Sequence, residues 1–190
     1  MISHDISKRE RTEENRHMDI GKKPKIDLLF QVGIVTDDLE RLLANWKKIF
    51  DFDTDSIKLS STKDAFDSGD WQGHNYNEKS CVFFNKFARF DLGGIDFEII
   101  EPLDKAGSGP FAEFLKENGG TGLHHIGVKV SNMEALAAKM KELGVPVLNH
   151  AEMGPVLSNG VRKGCVFYDL RQQLGLILEC CTVVVGPRAG

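Results

Sequence analysis

The sequence contains one segment twice, and this internal repeat limits the possible fold more than any other feature. Placing Gly127 of GLHHIGVKV on Gly33 of LFQVGIVTD aligns His125 with Gln31 without a gap. Further pairs match at the same separation: Ser131 with Asp37, Met133 with Leu39, Glu134 with Glu40 and Lys141 with Lys47. The chain therefore reads as two copies of one folding unit.

Each copy opens with the alternating side chains that are typical of a β-strand. We predict that three apolar side chains of each copy face the helix that follows: Phe30, Val32 and Ile34 in the first, and Ile126, Val128 and Val130 in the second. Gln31 and His125 then point away from the helices. A polar side chain at the same place in both copies predicts a shared site between the two units.

An amphipathic helix and three strands follow each opening strand. Asp37 with Glu40, and Ser131 with Glu134, have the spacing of a capping box at a helix start. Strands are expected near residues 28–35, 56–59, 81–92 and 95–101, and again near 145–148, 156–161, 164–169 and 174–181. This order predicts an α+β fold of two tandem βαβββ modules.

The same pattern predicts the boundaries of the modules. Residues 25–103 form the first module, residues 104–121 a linker with a short helix, and residues 122–185 the second module. Residues 1–24 are charged and poor in large apolar side chains, which predicts a flexible N-terminal extension. Residues 186–190 are a tail.

The charge and hydropathy of the chain disfavour two classes of partner. With a net charge of −4 and a sequence pI of about 5.9, we expect no nucleic-acid partner. No apolar run approaches the roughly 20 residues that cross a bilayer, and the N-terminus lacks the apolar core of a signal peptide. We expect a soluble, cytoplasmic protein with no membrane partner.

The cysteines do not have the spacing of a zinc site. Cys81 and Cys165 are isolated, and the adjacent Cys180 and Cys181 could not easily form an unstrained disulfide with each other. We predict four reduced, mostly packed thiols. A redox or metal-binding role for the adjacent pair is the alternative.

The segment from Ser60 to Lys79 is polar and shows no clear period. Irregular segments of this length are often lids or binding loops, and a solvated insertion is the alternative. The sequence leaves both interpretations open.

Four polar residues occupy matching places in the two copies. Gln31 and His125 lie on the first strands, whereas Glu98 and Glu179 interrupt the apolar last strands. A carboxylate among Ile, Leu and Phe is costly to bury unless a cation or a donor meets it. One amide oxygen, one imidazole and two carboxylates suit zinc, nickel, cobalt, manganese or ferrous iron, and leave positions open for substrate.

Taken singly, each of these residues has a plainer explanation. A lone histidine on a strand is more often structural than a metal ligand, and a lone glutamate usually faces water. The coincidence across both copies favours a shared metal site. His124 has the opposite phase to His125, so we expect it in the core or at an interface, outside the site.

These motifs resemble the vicinal oxygen chelate superfamily, which includes glyoxalases, bleomycin resistance proteins and extradiol dioxygenases. The resemblance covers about residues 28–182, from the openings QVGIV and HHIGV to the endings DFEIIEPL and LGLILEC. EPLDKAGSGPFAEFLKENGGTGLHHIGV and MKELGVPVLN are most similar to methylmalonyl-CoA epimerases and their glyoxalase-like relatives.

The resemblance implies two βαβββ modules that form a cleft around one divalent metal ion. The ligands carried over by position are Gln31, Glu98, His125 and Glu179. This set is similar to that of glyoxalase I, whereas epimerases typically have a histidine in place of Gln31. Gln31 also replaces a histidine that extradiol dioxygenases use for ferrous iron, which disfavours that activity.

The implied activity is that of a metal-dependent isomerase, epimerase or lyase that abstracts a proton next to a carbonyl. Its substrate would be a small thioester, hemithioacetal or keto compound. Glu179 is the first candidate for the base, with Glu98 as its partner on the opposite face. The alternative is a metal-free, ligand-sequestering protein of the bleomycin-resistance type, although a cleft without metal would leave both carboxylates uncompensated.

Two further predictions concern the surroundings of the cleft. Trp71, His74 and Tyr76 of the long loop, together with Arg162, are candidates to bind the rest of the substrate. The apolar strand edges predict a homodimer.

Overall fold

A computed structural model of the chain describes residues 23–70, 74–77, 79–156 and 162–182. In chain order, its elements are β1 Ile26–Val35, α1 Leu39–Ile49, β2 Lys58–Ser61, α2 Thr62–Asp67, β3 His74–Tyr76, β4 Lys79–Cys81, β5 Asn85–Leu92, β6 Ile95–Pro102, α3 Pro110–Asn118, β7 Gly122–Val130, α4 Met133–Glu142, β8 Val147–Val156, β9 Arg162–Leu170, α5 Arg171–Leu174 and β10 Leu176–Thr182.

The strands form one sheet in the order β2-β5-β6-β1-β7-β10-β9-β8-β3-β4. In the first copy β1 runs parallel to β6, and in the second copy β7 runs parallel to β10. The two copies meet where β1 pairs antiparallel with β7. The predicted α+β fold of two βαβββ units is confirmed, and the joint between them lies within one chain.

Helices α1 and α4 cover the same face of this sheet, each over its own copy. The α1 cluster contains Leu39, Leu43, Ala88, Phe90, Phe97 and Ile99, with Val32 and Ile34 packed against it. The α4 cluster contains Val128, Val130, Leu136, Met140, Val145, Tyr168, Leu170, Leu178 and Cys180. Each fully buried large apolar side chain contributes roughly 1.5–3 kcal/mol, so these two clusters hold the helices on the sheet.

The opposite face of the sheet is covered at one end by the linker helix α3. Phe111 and Leu115 of α3 pack against Val35 of β1 and Ile100 of β6. Gly109 precedes the helix with φ 138°, and Pro110 occupies its first turn, where a missing N–H costs nothing. The predicted linker helix is confirmed.

Three irregularities interrupt the pairing of β1 with β7. One lies between Ile26 and Leu28 near the start of β1, and the other two are β-bulges at equivalent places of the two copies. Between the pairs Leu29–Val128 and Gln31–Gly127, β1 has one extra residue, Phe30. Between Gly33–His125 and Ile34–Leu123, β7 has one extra residue, His124. Because a bulge turns the extra side chain, strict alternation fails at both positions.

The prediction that Phe30 faces helix α1 is therefore wrong. Its ring lies 4.1 Å from Lys129 Nζ, and its edge comes within 2.9 Å of where a Cβ on Gly127 would be. Gln31 Cβ approaches that same point, so Phe30 shares the face of Gln31. The other predicted inward residues pack on the helix side, as expected.

The segment 60–79 is partly regular. It contains helix α2 and strand β3. Strand β3 forms a hairpin with β4 and also pairs with β8 of the second copy. Part of the first copy therefore extends the sheet of the second copy. Trp71 lies outside the described residues, as does the side chain of His74.

Several boundaries differ from the sequence prediction. The predicted strand 81–92 is two strands, β4 and β5. The predicted strand 145–148 extends as β8 to Val156, and residues 157–161 lie outside the described part of the chain.

The N-caps of α1 and α4 are Asp38 and Asn132 rather than the predicted Asp37 and Ser131. The side-chain oxygen of Asp38 accepts the backbone N–H of Arg41, and that of Asn132 accepts the backbone N–H of Ala135.

The prediction of reduced cysteines is confirmed for Cys81 and Cys180, which are thiols, and is wrong for Cys165 and Cys181. Cys165 on β9 lies directly opposite Cys181 on β10, with a Cα–Cα distance of 4.6 Å, and the two form a disulfide. The partners are 16 residues apart in sequence, and only the strand register brings them together.

Within the described ranges, no helix is long and apolar enough to span a membrane.

The observed helix cap leads to a stability prediction. Asp38 Oδ1 accepts the N–H of Arg41 at 2.8 Å, so Asp38→Ala is expected to lower the free energy of unfolding by about 1 kcal/mol. Asp37→Ala removes the same charge but not the cap, and should cost clearly less. Urea unfolding of both variants measures the difference, and an equal or larger loss for Asp37→Ala would contradict the assignment.

Candidate metal centre

The register of the central strands places the predicted ligands in two adjacent rows. In the first row, Gly33 of β1 pairs with Glu98 of β6 on one side and with His125 of β7 on the other. Because paired residues on neighbouring strands share a face, Glu98 and His125 project to the same side of the sheet across a glycine.

The second row repeats this arrangement in reverse. Gly127 of β7 pairs with Gln31 of β1 and with Glu179 of β10. Each first-strand ligand therefore stands opposite the glycine of the other copy. All four predicted ligand residues come from one chain and lie on the face not covered by α1 and α4.

The two glycines leave the space that the site occupies. A Cβ on Gly33 would lie 2.0 Å from Cε1 and 2.5 Å from both nitrogens of the His125 ring, far closer than van der Waals contact. A Cβ on Gly127 would lie 2.8 Å from Gln31 Cβ and 3.0 Å from Glu179 Oε2. Any larger residue at Gly33 has to displace the histidine.

His125 lies between the two carboxylates. Its Nε2 is 3.4 Å from Glu179 Oε2 and 3.8 Å from Glu98 Oε2. The His125 side chain is fully buried, and the side chains of Glu98 and Glu179 are only 13% and 10% exposed. Two acids and an imidazole thus share a poorly solvated space.

Three polar atoms of the site have no hydrogen-bond partner within the described residues. They are Gln31 Oε1, His125 Nε2 and Glu179 Oε2, and each is buried. Leaving such an atom unsatisfied costs about 1–3 kcal/mol. Three such atoms, on three different strands, surround one space. This arrangement indicates that an ion or molecule from outside this chain completes the site.

The amide of Gln31 is oriented by two residues that sequence analysis did not single out. Its Nε2 donates to Asp96 Oδ2 at 3.1 Å, and Arg89 Nε donates to the same oxygen at 2.9 Å. With the nitrogen held by Asp96, the oxygen of the amide is directed into the site. Asp96 precedes Glu98 by two residues on one strand, so the alternation rule could have identified it.

His124 is buried, as predicted for a core residue, and it also contacts one of the candidate ligands. The β7 bulge brings its Nδ1 to 2.9 Å from Nδ1 of His125, and its ring packs between Phe111 and Phe114. Burial, followed by the charge of His125, holds the pKa of His124 well below its usual value. A neutral His124 can accept the Nδ1 proton of His125, which leaves His125 Nε2 as a free ligand atom.

The carboxyl of Glu98 is strongly affected by its environment. Burial raises its pKa to about 7, an effect opposed by the nearby His125 and reinforced by the charge of Glu179. Arg89 Nε approaches Glu98 Oε1 only to 3.9 Å. The protein alone therefore does not compensate this carboxylate, and a cation would.

The donor set fits a divalent metal ion. Donors at about 2.1 Å from an octahedral ion are about 3 Å apart when adjacent and about 4.2 Å apart when opposite. The distances from His125 Nε2 to Glu179 Oε2 and Glu98 Oε2, 3.4 and 3.8 Å, exceed the adjacent spacing by less than 1 Å, which small side-chain rotations can close. The atoms that would bind the ion are the amide oxygen of Gln31, Nε2 of His125 and one oxygen each of Glu98 and Glu179.

Of the predicted substrate-binding residues, only Tyr76 has a side chain that the structure describes. The hydroxyl of Tyr76 donates to Glu113 of the linker helix, and its ring packs edge-on against Phe83. Residues His74 and Arg162 begin β3 and β9, but their side chains lie outside the described part of the structure. Binding of substrate by these residues stays a prediction.

A comparison with protein families agrees with the geometry. Residues 30–161 match the model of the Glyoxalase/Bleomycin resistance protein/Dioxygenase superfamily. The chain belongs to this superfamily. The matched range includes Gln31 of β1, Glu98 of β6 and His125 of β7.

Known relatives of this chain include epimerases. The mitochondrial methylmalonyl-CoA epimerase of Bos taurus is 33% identical over 70 residues, which are 37% of this chain and 35% of the bovine protein. The match thus spans about a third of the bovine protein.

Solved epimerase structures share the fold of the chain. A methylmalonyl-CoA epimerase in complex with methylmalonyl-CoA and NH4+ has a TM-score of 0.51 and 17% identity over 85% of this chain and 97% of that one. A variant of the Streptomyces coelicolor methylmalonyl-CoA epimerase in complex with 2-nitronate-propionyl-CoA has a TM-score of 0.51 and 16% identity over the same shares.

The glycine opposite His125 provides a test of the site geometry. Gly33→Ala is expected to displace the His125 ring and weaken divalent-metal affinity by about tenfold or more. Gly122→Ala is the control on the same β7, because its methyl group meets the flexible end of the Asn118 side chain and, at 3.3 Å, the edge of the Phe114 ring, but not His125. Competition with a chromophoric chelator measures both affinities, and equal values would contradict the proposed role of Gly33.

Proposed function

We propose that the protein is a divalent-metal-dependent enzyme that transfers a proton at a carbon next to a carbonyl group. The observation that carries this proposal is the group of three buried, unpartnered atoms on Gln31, His125 and Glu179, beside the carboxyl of Glu98. A site that only stabilised the fold would gain from having these atoms paired within the chain. Open coordination positions are instead typical of catalytic metal sites.

The proposed ion is zinc, nickel, cobalt, manganese or ferrous iron. When bound, it would neutralise the two glutamates and stabilise negative charge on the substrate carbonyl oxygen. Gln31, oriented through Asp96, supplies a neutral oxygen. The set of one neutral oxygen, one imidazole and two acids has no net charge with a dication, which suits a buried position.

Glu179 is the proposed base. Its Oε2 has no hydrogen-bond partner within the described part of the chain and points toward the site. Because one carboxylate cannot be a tight metal ligand and a free base at the same time, Glu179 would have to loosen from the ion when substrate binds, and it could then accept the proton. Glu98 lies on the other side of His125 Nε2 and is the proposed partner that returns the proton to the opposite face of the substrate. The low solvent exposure of both carboxyls slows the loss of that proton to water.

The relatives support a thioester as the first substrate to test. The curated bovine relative is a methylmalonyl-CoA epimerase, and the Streptomyces coelicolor epimerase binds a propionyl-CoA analogue. Gln31 resembles the ligand set of glyoxalase I more than that of the epimerases, so hemithioacetals and keto compounds belong in the same screen. A carbonyl next to an acidic C–H is common to all three classes.

We also propose that the protein forms a homodimer. Ile26 and Leu28 of β1 are more than half exposed, and Leu59 on the edge strand β2 is 69% exposed. Leu59 lies at a sheet edge, whereas Ile26 and Leu28 lie at the start of a central strand. Exposed apolar side chains in either place favour association with a second copy.

Metal removal tests the proposed cofactor. Protein purified without chelator is expected to carry about one divalent ion per chain, measured by elemental analysis. Ligand at about 100 times its dissociation constant stabilises a protein by about 2.7 kcal/mol, so EDTA should lower the melting temperature by roughly 5–10 °C. No bound ion and no effect of EDTA would instead favour a metal-free binding protein.

Isotope exchange in heavy water tests the two acids separately. Glu179→Gln is expected to lower deuterium incorporation into the substrate by about 10²-fold or more, because the base is lost. Glu98→Gln should keep exchange through Glu179 but lose inversion, because the opposite-face acid is missing. Metal content and thermal melting are measured on both variants, and unchanged exchange in a metal-loaded Glu179→Gln protein would remove the base assignment.

A further inference from the structure

The disulfide lies directly beside the proposed metal centre. Cys181 follows Glu179 by two residues on β10 and shares its face of the sheet, and Cys165 is the cross-strand partner of Cys181. Cys181 Sγ is 3.7 Å from Glu179 Oε1. The carboxylate of Glu179 thus has one oxygen against the sulfur and the other, Oε2, against His125.

These three side chains form a cluster of potential ligands. One atom from each of Cys165, Cys181 and Glu179 lies within 4.8 Å of the other two. Cys181 and Glu179 are buried, and Cys165 is half-buried. As a disulfide, the two sulfurs are poor ligands; as a reduced pair, they would supply two thiolates, which bind zinc and cadmium strongly.

The strand geometry permits the change. Two thiolates at about 2.3 Å from a tetrahedral ion are about 3.8 Å apart. The 4.6 Å Cα–Cα distance of the cystine allows this separation by side-chain rotation alone, while the paired backbones of β9 and β10 stay in register. Cys180 has no part in this cluster, because it is buried on the opposite face among the α4 cluster residues.

The geometry points to a second metal site that opens when the Cys165–Cys181 disulfide is reduced. Its ligands are the two thiolates and Oε1 of Glu179, with one position left open, and its ion is a thiophilic divalent cation such as zinc or cadmium. Glu179 then joins this site to the His125 centre through its two oxygens. The link to the His125 centre rests on the proposed function, whereas ion binding by the two thiolates does not.

The redox step is balanced by a named reductant. A trialkylphosphine and one water reduce the cystine to two thiols, and the phosphine leaves as its oxide. The incoming dication then displaces the two thiol protons to the buffer. The reverse reaction, by an oxidant such as a small-molecule disulfide, closes the site again.

Cadmium titration of the full-length protein tests the site. The oxidised wild-type protein and the phosphine-reduced protein, freed of phosphine under argon, are titrated with Cd²⁺. Formation of cadmium–thiolate bonds is followed by their ultraviolet charge-transfer absorption, and stoichiometry by calorimetry. The reduced protein is expected to bind one more equivalent than the oxidised protein and to show the absorption band; no band in the reduced protein would overturn the proposal.

Two variants with equal numbers of cysteines provide a matched control. Reduced Cys81→Ser/Cys180→Ala keeps the cluster and should behave like reduced wild type, whereas Cys165→Ser/Cys181→Ser lacks it and should show no band at one equivalent. Equal bands in both variants would mean non-specific thiol binding and overturn the site. The comparison of oxidised with reduced wild type needs no substitution, so a poorly folded variant leaves the test intact.

A third variant tests the shared carboxylate. Glu179→Gln in the reduced protein is expected to weaken binding of the thiolate-bound ion by about tenfold, because a charged ligand is replaced by a neutral amide. Unchanged affinity would show that Glu179 is not a ligand and would overturn the shared part of the site. Because the readout is thiolate absorption, loss of substrate exchange by this variant does not affect the result.

Discussion

The antiparallel pairing of β1 with β7 is the interaction on which the rest of the structure depends. It joins the two copies into one sheet. It also places Gln31 and His125, which are far apart in sequence, on neighbouring strands. The parallel strands β6 and β10 flank this pair and add Glu98 and Glu179 in the same rows. A shift of register by one residue would turn one copy's ligands to the other face of the sheet.

Without a bound cation, the buried polar residues of this site lower the stability of the fold. Two carboxyls and one imidazole are placed in a space with little water, and the increased pKa of Glu98 reports the cost of keeping that group ionised. Arg89 lowers this cost only in part, since it is already paired with Asp96. Binding of a cation would offset the remaining cost, so metal affinity and folding stability are expected to be linked.

Much of the fold could be predicted from the sequence, because the repeat shows itself in local patterns. The opening strands, the two long helices, the linker helix and the α+β class follow from alternation and helical spacing. The four candidate ligands were predicted from coincidence between the copies. The structure places these residues in two adjacent rows of one sheet, and their binding of a metal ion stays a prediction. The bulges at Phe30 and His124 could not be predicted, because they arise from pairing between strands that are distant in sequence. The same holds for the disulfide, whose partners are set by the register of β9 on β10.

The hairpin β3 and β4 has a consequence for how the chain folds. Asn75 and Tyr76 of β3 pair with His150 and Asn149 of β8, so this part of the first copy has its partner only after most of the second copy has formed. During synthesis the first copy would emerge from the ribosome with this segment unpaired, and it would remain open to proteolysis until β8 follows. Since such long-range pairing slows folding, maturation of the whole sheet is expected to finish after translation rather than copy by copy.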